Sequence, residues 1–342
     1  MKFGIFDHMD RGSGSLGEQY ESRLRLIEAY DHAGFHAYHL AEHHATPLGM
    51  APAPSVFLAA VAQRTRRLRF GPLVYTLSLH HPLRLAEEIC MLDHMSGGRL
   101  ELGIGRGISP LELTAFGVDA AQAQPIYIEA LAIVRQALTQ ETVTFEGKFF
   151  RFRDVPIEMA PVQKPHPPLW YGVAKPEGTT WPAQNKVNIA TNTPADRARV
   201  ITDAYRAAWK AAGNSMAALP LVGMNRHIVI ADSDDAAQAS ARRAYRVWYA
   251  SFMKLWIKHN AKPPNAVYPD SFEALERIGL GVAGSPERVR RVLTEQVETA
   301  GINYLACRFA FGDLTFEEAH RSVTLFVDDV MPALAAIRAR TE

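Results

Sequence analysis

The stretch HPLRLAEEICMLDHMSGGRLELGIGRG, residues 81–107, decides the fold class. Its apolar residues from Leu83 to His94 have the spacing of an amphipathic helix, and Leu100–Ile104 is a short apolar strand. That strand runs straight into Gly105-Arg106-Gly107. The same alternation extends in both directions. Further strands are expected at Lys2–Phe6, Ala37–Ala41, Leu68–Tyr75, Leu169–Val173, Val187–Ala190, Asn225–Ile230 and Tyr304–Phe309, eight in all with Leu100–Ile104. Helical patterns lie between them at Tyr20–Ala33, Ser55–Arg64, Ile126–Leu138, Ala195–Ala212, Pro286–Thr299 and Phe316–Arg338. Such alternation means parallel strands joined by crossover helices, and eight of them predict an α/β TIM (β/α)8 barrel.

The punctuation agrees. Thr193-Pro194 and Ser285-Pro286 place a cap residue before a proline at the start of a helix, and Gly34, Gly213 and Gly301 follow helix ends. Two segments read as insertions in a single domain spanning 1–342. Val143–Ile157 has Glu146-Gly147 between aromatic runs and is expected as a β-hairpin. Lys258–Gly284 is rich in Pro and Gly, follows a helix rich in Trp and Tyr, and is expected as a long irregular lid over the barrel mouth.

Composition narrows the function classes. The chain has 342 residues, 48% hydrophobic and 21% charged, with 37 Lys+Arg against 36 Asp+Glu. That near balance gives no basic patch for nucleic acid or an anionic membrane. The chain starts on a strand-like run and has no signal-peptide pattern and no run of about 18 apolar residues, so a cytoplasmic protein is expected. Cys90 and Cys307 sit in apolar surroundings and read as buried thiols.

Active sites of such barrels lie at the C-terminal ends of the strands. Glu42-His43-His44 falls there, and a histidine at that rim can act as a general acid or base. Two rim histidines satisfied by backbone groups are the bland alternative, and a zinc site lacks the HExxH spacing. Gly105 and Gly107 let a flat or phosphorylated ligand approach, and Arg106 can pair with a phosphate. A dinucleotide fold competes for this motif, but the spacing is not GxGxxG. Val173-Ala174-Lys175-Pro176-Glu177-Gly178-Thr179 is a strand end leading into a helix start, where free N–H groups bind phosphate; an exposed connection is the alternative. Leu73 and Val74 can pack on a flat ring or simply fill the core. Trp248, Tyr249, Phe252 and Trp256 form a helical stripe, read as core or as a wall of a substrate pocket.

Together these residues resemble the bacterial-luciferase-like flavin-dependent monooxygenase family. The resemblance begins at Met1-Lys2-Phe3-Gly4, passes through AEHH at 41–44, is densest over 81–119, and returns at Gly284-Ser285-Pro286-Glu287 and Asp328-Asp329-Val330-Met331-Pro332. It implies a barrel, dimeric as a homodimer, that takes reduced FMN from a separate flavin reductase. With molecular oxygen it would oxygenate a small, hydrophobic organic substrate through a 4a-peroxyflavin. It assigns the catalytic histidine to His43, with Glu42 beside it. Leu73-Val74 matches a pair that carries a non-prolyl cis peptide behind the flavin ring. Gly105 stands where luciferase has a cysteine, and Arg106 matches an arginine near the phosphate.

Two positions depart from the family. Gln124 stands where an arginine is common, and Lys175-Pro176-Glu177-Gly178 replaces a serine-rich phosphate turn, so Lys175 is expected to restore the lost charge. Two other functions stay open at this point: hydride transfer with a deazaflavin, or a non-catalytic flavin-binding role.

Overall fold

Short, mostly buried apolar runs form the strands of a parallel sheet covered on both faces, and two more exposed runs form a separate hairpin, β6 and β7. In the computed structural model, which describes residues 1–263 and 268–337, the strands are β1 Lys2–Asp7, β2 Ala37–Leu40, β3 Arg69–Pro72, β4 Tyr75–Thr76, β5 Leu102–Gly105, β6 Thr142–Glu146, β7 Arg151–Pro156, β8 Leu169–Gly172, β9 Asn188–Thr191, β10 Val222–Ile230, β11 Gly281–Gly284 and β12 Tyr304–Arg308. The parallel sheet runs β3-β2-β1-β12-β10-β9-β8-β5-β4. β3 and β4 are two halves of one strand, and a bridge from Phe70 to Leu100 ties β3 to the residues before β5. The sheet therefore returns to its starting strand as a nearly closed barrel of eight strands, and all eight expected strands are present.

The helices are α1 Leu16–His32, α2 Pro54–Arg64, α3 Pro82–Ser96, α4 Pro110–Ala115, α5 Ala123–Thr139, α6 Thr180–Gln184, α7 Ala195–Ala211, α8 Asp234–Lys258, α9 Phe272–Arg277, α10 Pro286–Ala300, α11 Phe316–Leu325 and α12 Met331–Ala335. Gly34, Gly213 and Gly301 take φ of 80°, 76° and 62°, the left-handed geometry that ends a helix. Ser285 caps α10 in position, although its hydroxyl makes no cap bond. At α7 the cap is Pro194 rather than Thr193, whose hydroxyl pairs with that of Thr191.

β6 and β7 form the expected antiparallel hairpin. The segment 258–284 is not irregular throughout. α9 buries Phe272 and Leu275, and β11 pairs in parallel with the upper end of β10. β11 is buried along its whole length, so it carries no alternation in the sequence to betray it. Residues 264–267 of the expected lid lie outside the described residues. Cys90 and Cys307 are both free and buried.

Alternation along the strands sorts side chains to two faces. On β1, Phe3 meets Phe326 among the helices, while Phe6 and Leu73 border an interior cluster of Trp170, Tyr304 and Ala306. On β2, His39 points inward and bonds Tyr304 Oη at 2.8 Å. The middle of the barrel is polar. Glu101 accepts from Trp170 Nε1 at 2.6 Å and from Arg69 Nε at 2.8 Å. Burial pushes the Glu101 carboxyl up, but His36, His39 and Arg69 outweigh it and hold it at about 2. The mouth lies above this layer, at the C-terminal ends of the strands.

Candidate active site

β2 continues its alternation past its last hydrogen bond, and this separates three consecutive residues. His43 turns toward the mouth and approaches His8, with ring centres 5.4 Å apart. Glu42 and His44 turn the other way, into a cleft of about 400 Å³ outside the rim that is also lined by Ser55, His80 and Phe116.

Glu42 is buried and its oxygens are fully committed. Oε1 meets His44 Nε2 at 2.8 Å and His80 Nε2 at 3.0 Å, and Oε2 accepts the Thr76 N–H at 2.9 Å. Burial alone would raise its pKa, yet the bonds from His44 and His80 hold it at about 2. The same pairing raises His80, against a burial penalty that would lower it. Glu42 is therefore a fixed anion that ties the end of β2 to the strand and helix after it.

His43 has a different carboxylate. Its Nδ1 lies 3.2 Å from Glu112 Oε1, and the other Glu112 oxygen accepts the His44 N–H at 2.9 Å. Glu112 stands in the first turn of α4, whose cap Ser109 accepts the Glu112 N–H at 3.3 Å. A narrow crevice of about 30 Å³ opens beside the pair, walled by Phe252 and Trp256 of α8.

The Leu73–Val74 peptide is cis, as the resemblance implied. Leu73 packs against the interior cluster, and Val74 stands against Gly105. A Cβ on Gly105 would lie 2.5 Å from Val74 Cγ2, so the space that a cysteine side chain would need is taken by Val74. Arg106 is exposed, and its guanidinium makes one weak bond, Nε to Gly107 O at 3.3 Å.

The turn after β8 is a short 3-10 segment, Pro176–Thr179, leading into α6. Lys175 is exposed, as are Ala174, Glu177 and Gly178, while Val173 is buried. Thr179 is buried and donates its hydroxyl to Pro176 O at 2.7 Å, which leaves that proton committed within the turn. A Cβ on Gly172 would meet nothing within 4 Å, so the backbone at the end of β8 is bare. β5 and β8 are paired neighbours, which puts Arg106 and Lys175 at the ends of adjacent strands beside that bare backbone. Two exposed cations and an open glycine suit a phosphate, and an inward histidine on the strand beside Leu73 suits a flat ring.

Several residues of the mouth carried little sequence signal. His8 follows β1, His227 lies on β10, and Arg308 ends β12. Trp248 joins them, donating Nε1–H to His8 Nδ1 at 3.3 Å. Arg308 was visible as a cation inside the apolar run Tyr304–Phe309, and His80 lies just before the helix at Leu83.

A family profile described as luciferase-like monooxygenase matches residues 1–304. The chain belongs to this luciferase-like monooxygenase family. An uncharacterised protein, y4wF of Sinorhizobium fredii, is 45% identical over 93% of this chain and 92% of its own length. The oxygenase component of a flavin-dependent trigonelline monooxygenase from Acinetobacter baylyi is 27% identical over 98% of this chain and 96% of its own length. Among solved structures, the monooxygenase RslO1 from Streptomyces bottropensis superposes with a TM-score of 0.87 at 28% identity, covering 97% of this chain and 99% of that one. More distant structures share the fold alone. They include the FMN-bound oxygenating constituent of 3,6-diketocamphane monooxygenase from Pseudomonas putida (19% identical, TM-score 0.81) and an F420-dependent reductase from Methanopyrus kandleri (19%, 0.68). No helix among the described residues is long and apolar enough to cross a membrane.

Proposed function

We propose that the protein is an FMN-dependent monooxygenase that oxygenates a small organic substrate and takes its reduced flavin from a separate reductase. The observation that carries this reading is the inward-facing His43, held by Glu112 at the end of β2, beside the neighbouring strand that carries Leu73 and Val74 against Gly105. Reduced FMN, when bound, supplies the electrons that activate oxygen. Leu73, Val74 and Gly105 form the wall against which the ring would lie, and Arg106 and Lys175 hold the phosphate. His43 donates or accepts the proton at the reacting centre, and Glu112 fixes the ring of His43. Glu42 positions the rim, its two oxygens taken by His44, His80 and the Thr76 N–H. The curated relative that is an oxygenase component supports the two-component assignment. Exposed Val56, Met91 and Met95 on the adjacent helices α2 and α3 support a homodimer.

The test is anaerobic titration of the protein with reduced FMN and with a reduced deazaflavin, followed by mixing with oxygen. Tight binding of reduced FMN, with oxygen from O2 incorporated into a member of a substrate panel, is expected. Binding of the deazaflavin alone, with hydride transfer and no oxygen uptake, would overturn the reading.

A further inference from the structure

The mouth contains a buried cation that the proposed chemistry does not use. Arg308 follows Tyr304 and Ala306 on the inward face of β12, and its side chain is 1% exposed. Its guanidinium carbon sits 4.9 Å from the centre of the Phe6 ring and 5.4 Å from that of Trp248. Nη1 donates to His227 Nε2 at 2.7 Å. Nε and Nη2 have no hydrogen-bond partner among the described residues.

Arginine cannot shed its charge to escape burial, so an unmatched guanidinium is costly. No carboxylate among the described residues hydrogen-bonds to it. Burial, then Arg308 itself, lowers His227 well below its ordinary value, and burial with Arg308 does the same to His8. Both histidines are therefore neutral beside it. The buried Asp10 accepts the Gly312 N–H at Oδ2, and burial pushes its carboxyl up to about 7, so it offers at most a partial charge at neutral pH. Cation–π contact with Phe6 and Trp248 offsets part of the cost, but it leaves the N–H groups unmet.

The geometry of what is left over is specific. Nε and Nη2 form one edge of the guanidinium, two parallel donors that match the two oxygens of a carboxylate. The surroundings are flat. Trp248 and Phe311 pack on His227, and Tyr268 packs on Trp248, with ring centres 4.8–4.9 Å apart. β10 and β12 lie across the barrel from the Leu73–Val74 wall, on the side that a flavin against that wall would leave to the substrate.

We infer that the substrate is a planar aromatic carboxylate whose carboxylate is bound by the free edge of Arg308, between Phe6 and Trp248. Arg308 is thus a specificity-determining residue. It selects an anion at an aromatic end of the mouth, where the neighbouring histidines are neutral. This rests on the mouth being the active site. The free edge is shut off from bulk water, which strengthens the pair.

The test uses benzoate and benzamide as probes on the flavin-free protein, with binding read by calorimetry and by quenching of tryptophan fluorescence. Benzoate is expected to bind at least about tenfold more tightly than benzamide. Arg308→Gln should abolish that preference, and Arg308→Lys should keep part of it. FMN affinity should not change in either variant. Equal binding of the two probes, or of neither, overturns the inference and leaves a trapped water as the partner of the free edge. Loss of reduced-FMN affinity in Arg308→Gln, with no benzoate preference, assigns the cation to the flavin and also overturns it. The probe measurement needs no turnover and no variant, so it stands apart from failure of the oxygenase reading.

Discussion

His43 Nδ1 lies 3.2 Å from Glu112 Oε1, although the carboxylate next to His43 in the chain is Glu42. Alternation along β2 turns the neighbours apart, and the first turn of α4 brings the partner in. Glu112 then fixes both the ring of His43 and, through the His44 N–H, the backbone that carries it. His43→Ala is expected to cut turnover by about 10²–10⁴. Glu112→Ala should lose less, and Glu112→Gln, which keeps one acceptor oxygen, less again. FMN affinity should stay within about threefold in all three, which separates positioning from folding damage. The check is kcat beside a flavin titration. Parallel losses of kcat and FMN affinity would sink both assignments.

Glu42 gives a stability prediction with a definite sign. Its folded pKa of about 2 lies below the unfolded value of 4.5, so its contribution is present above about 4.5 and disappears as pH falls toward 2. The difference corresponds to about 3 kcal/mol. His80 is shifted the opposite way, so its share is present below its unfolded value of 6.5 and is lost as pH rises through the raised folded value. Glu42→Gln should therefore lower stability at pH 6 by a few kcal/mol and flatten the acid limb. Denaturant unfolding of both proteins at pH 6 and pH 3 reads this out. An unchanged gap between them at the two pH values would refute it.

Gly105 and Val74 make a steric prediction. A methyl at 105 would fall 2.5 Å from Val74 Cγ2, and valine has few rotamers with which to retreat. Gly105→Ala is expected to cost about 1–3 kcal/mol. Val74→Ala in the same chain should recover most of that loss, which gives a coupling of opposite sign in a double-mutant cycle. Additive losses in thermal unfolding would show that the two residues do not compete for one space.

The barrel was legible because its eight strands are bounded by amphipathic helices and glycine turns, and all eight stand where the pattern put them. β11 was not, since four buried small residues carry neither alternation nor a helical period. The rim placement of Glu42, His43 and Arg106 follows from their position after a strand. The sequence could not show that Glu112, His8, His227 and Arg308 converge on one mouth, because each comes from a different element and closure of the barrel alone brings them together. Thr179 looked like a phosphate hydroxyl by position, but local turn geometry spends its proton on Pro176 O.

Asp10 supplies the last prediction, and it runs against the usual behaviour of a carboxylate. It is 1% exposed, Oδ1 has no partner among the described residues, and burial pushes its pKa from 3.8 to about 7 against the pull of Arg23 and the Gly312 N–H. A raised folded pKa means that the folded chain holds a proton which the unfolded chain has released. Stability therefore falls as pH rises from about 4 to 7, by up to about 4 kcal/mol if nothing else moves. Asp10→Asn keeps an oxygen for the Gly312 N–H and cannot ionise. It should match the wild-type chain near pH 4 and exceed it at pH 8, so the two curves of Tm against pH diverge as pH rises. Curves that stay parallel across that range would mean that Asp10 is ionised throughout, with a counter-charge that offsets its burial.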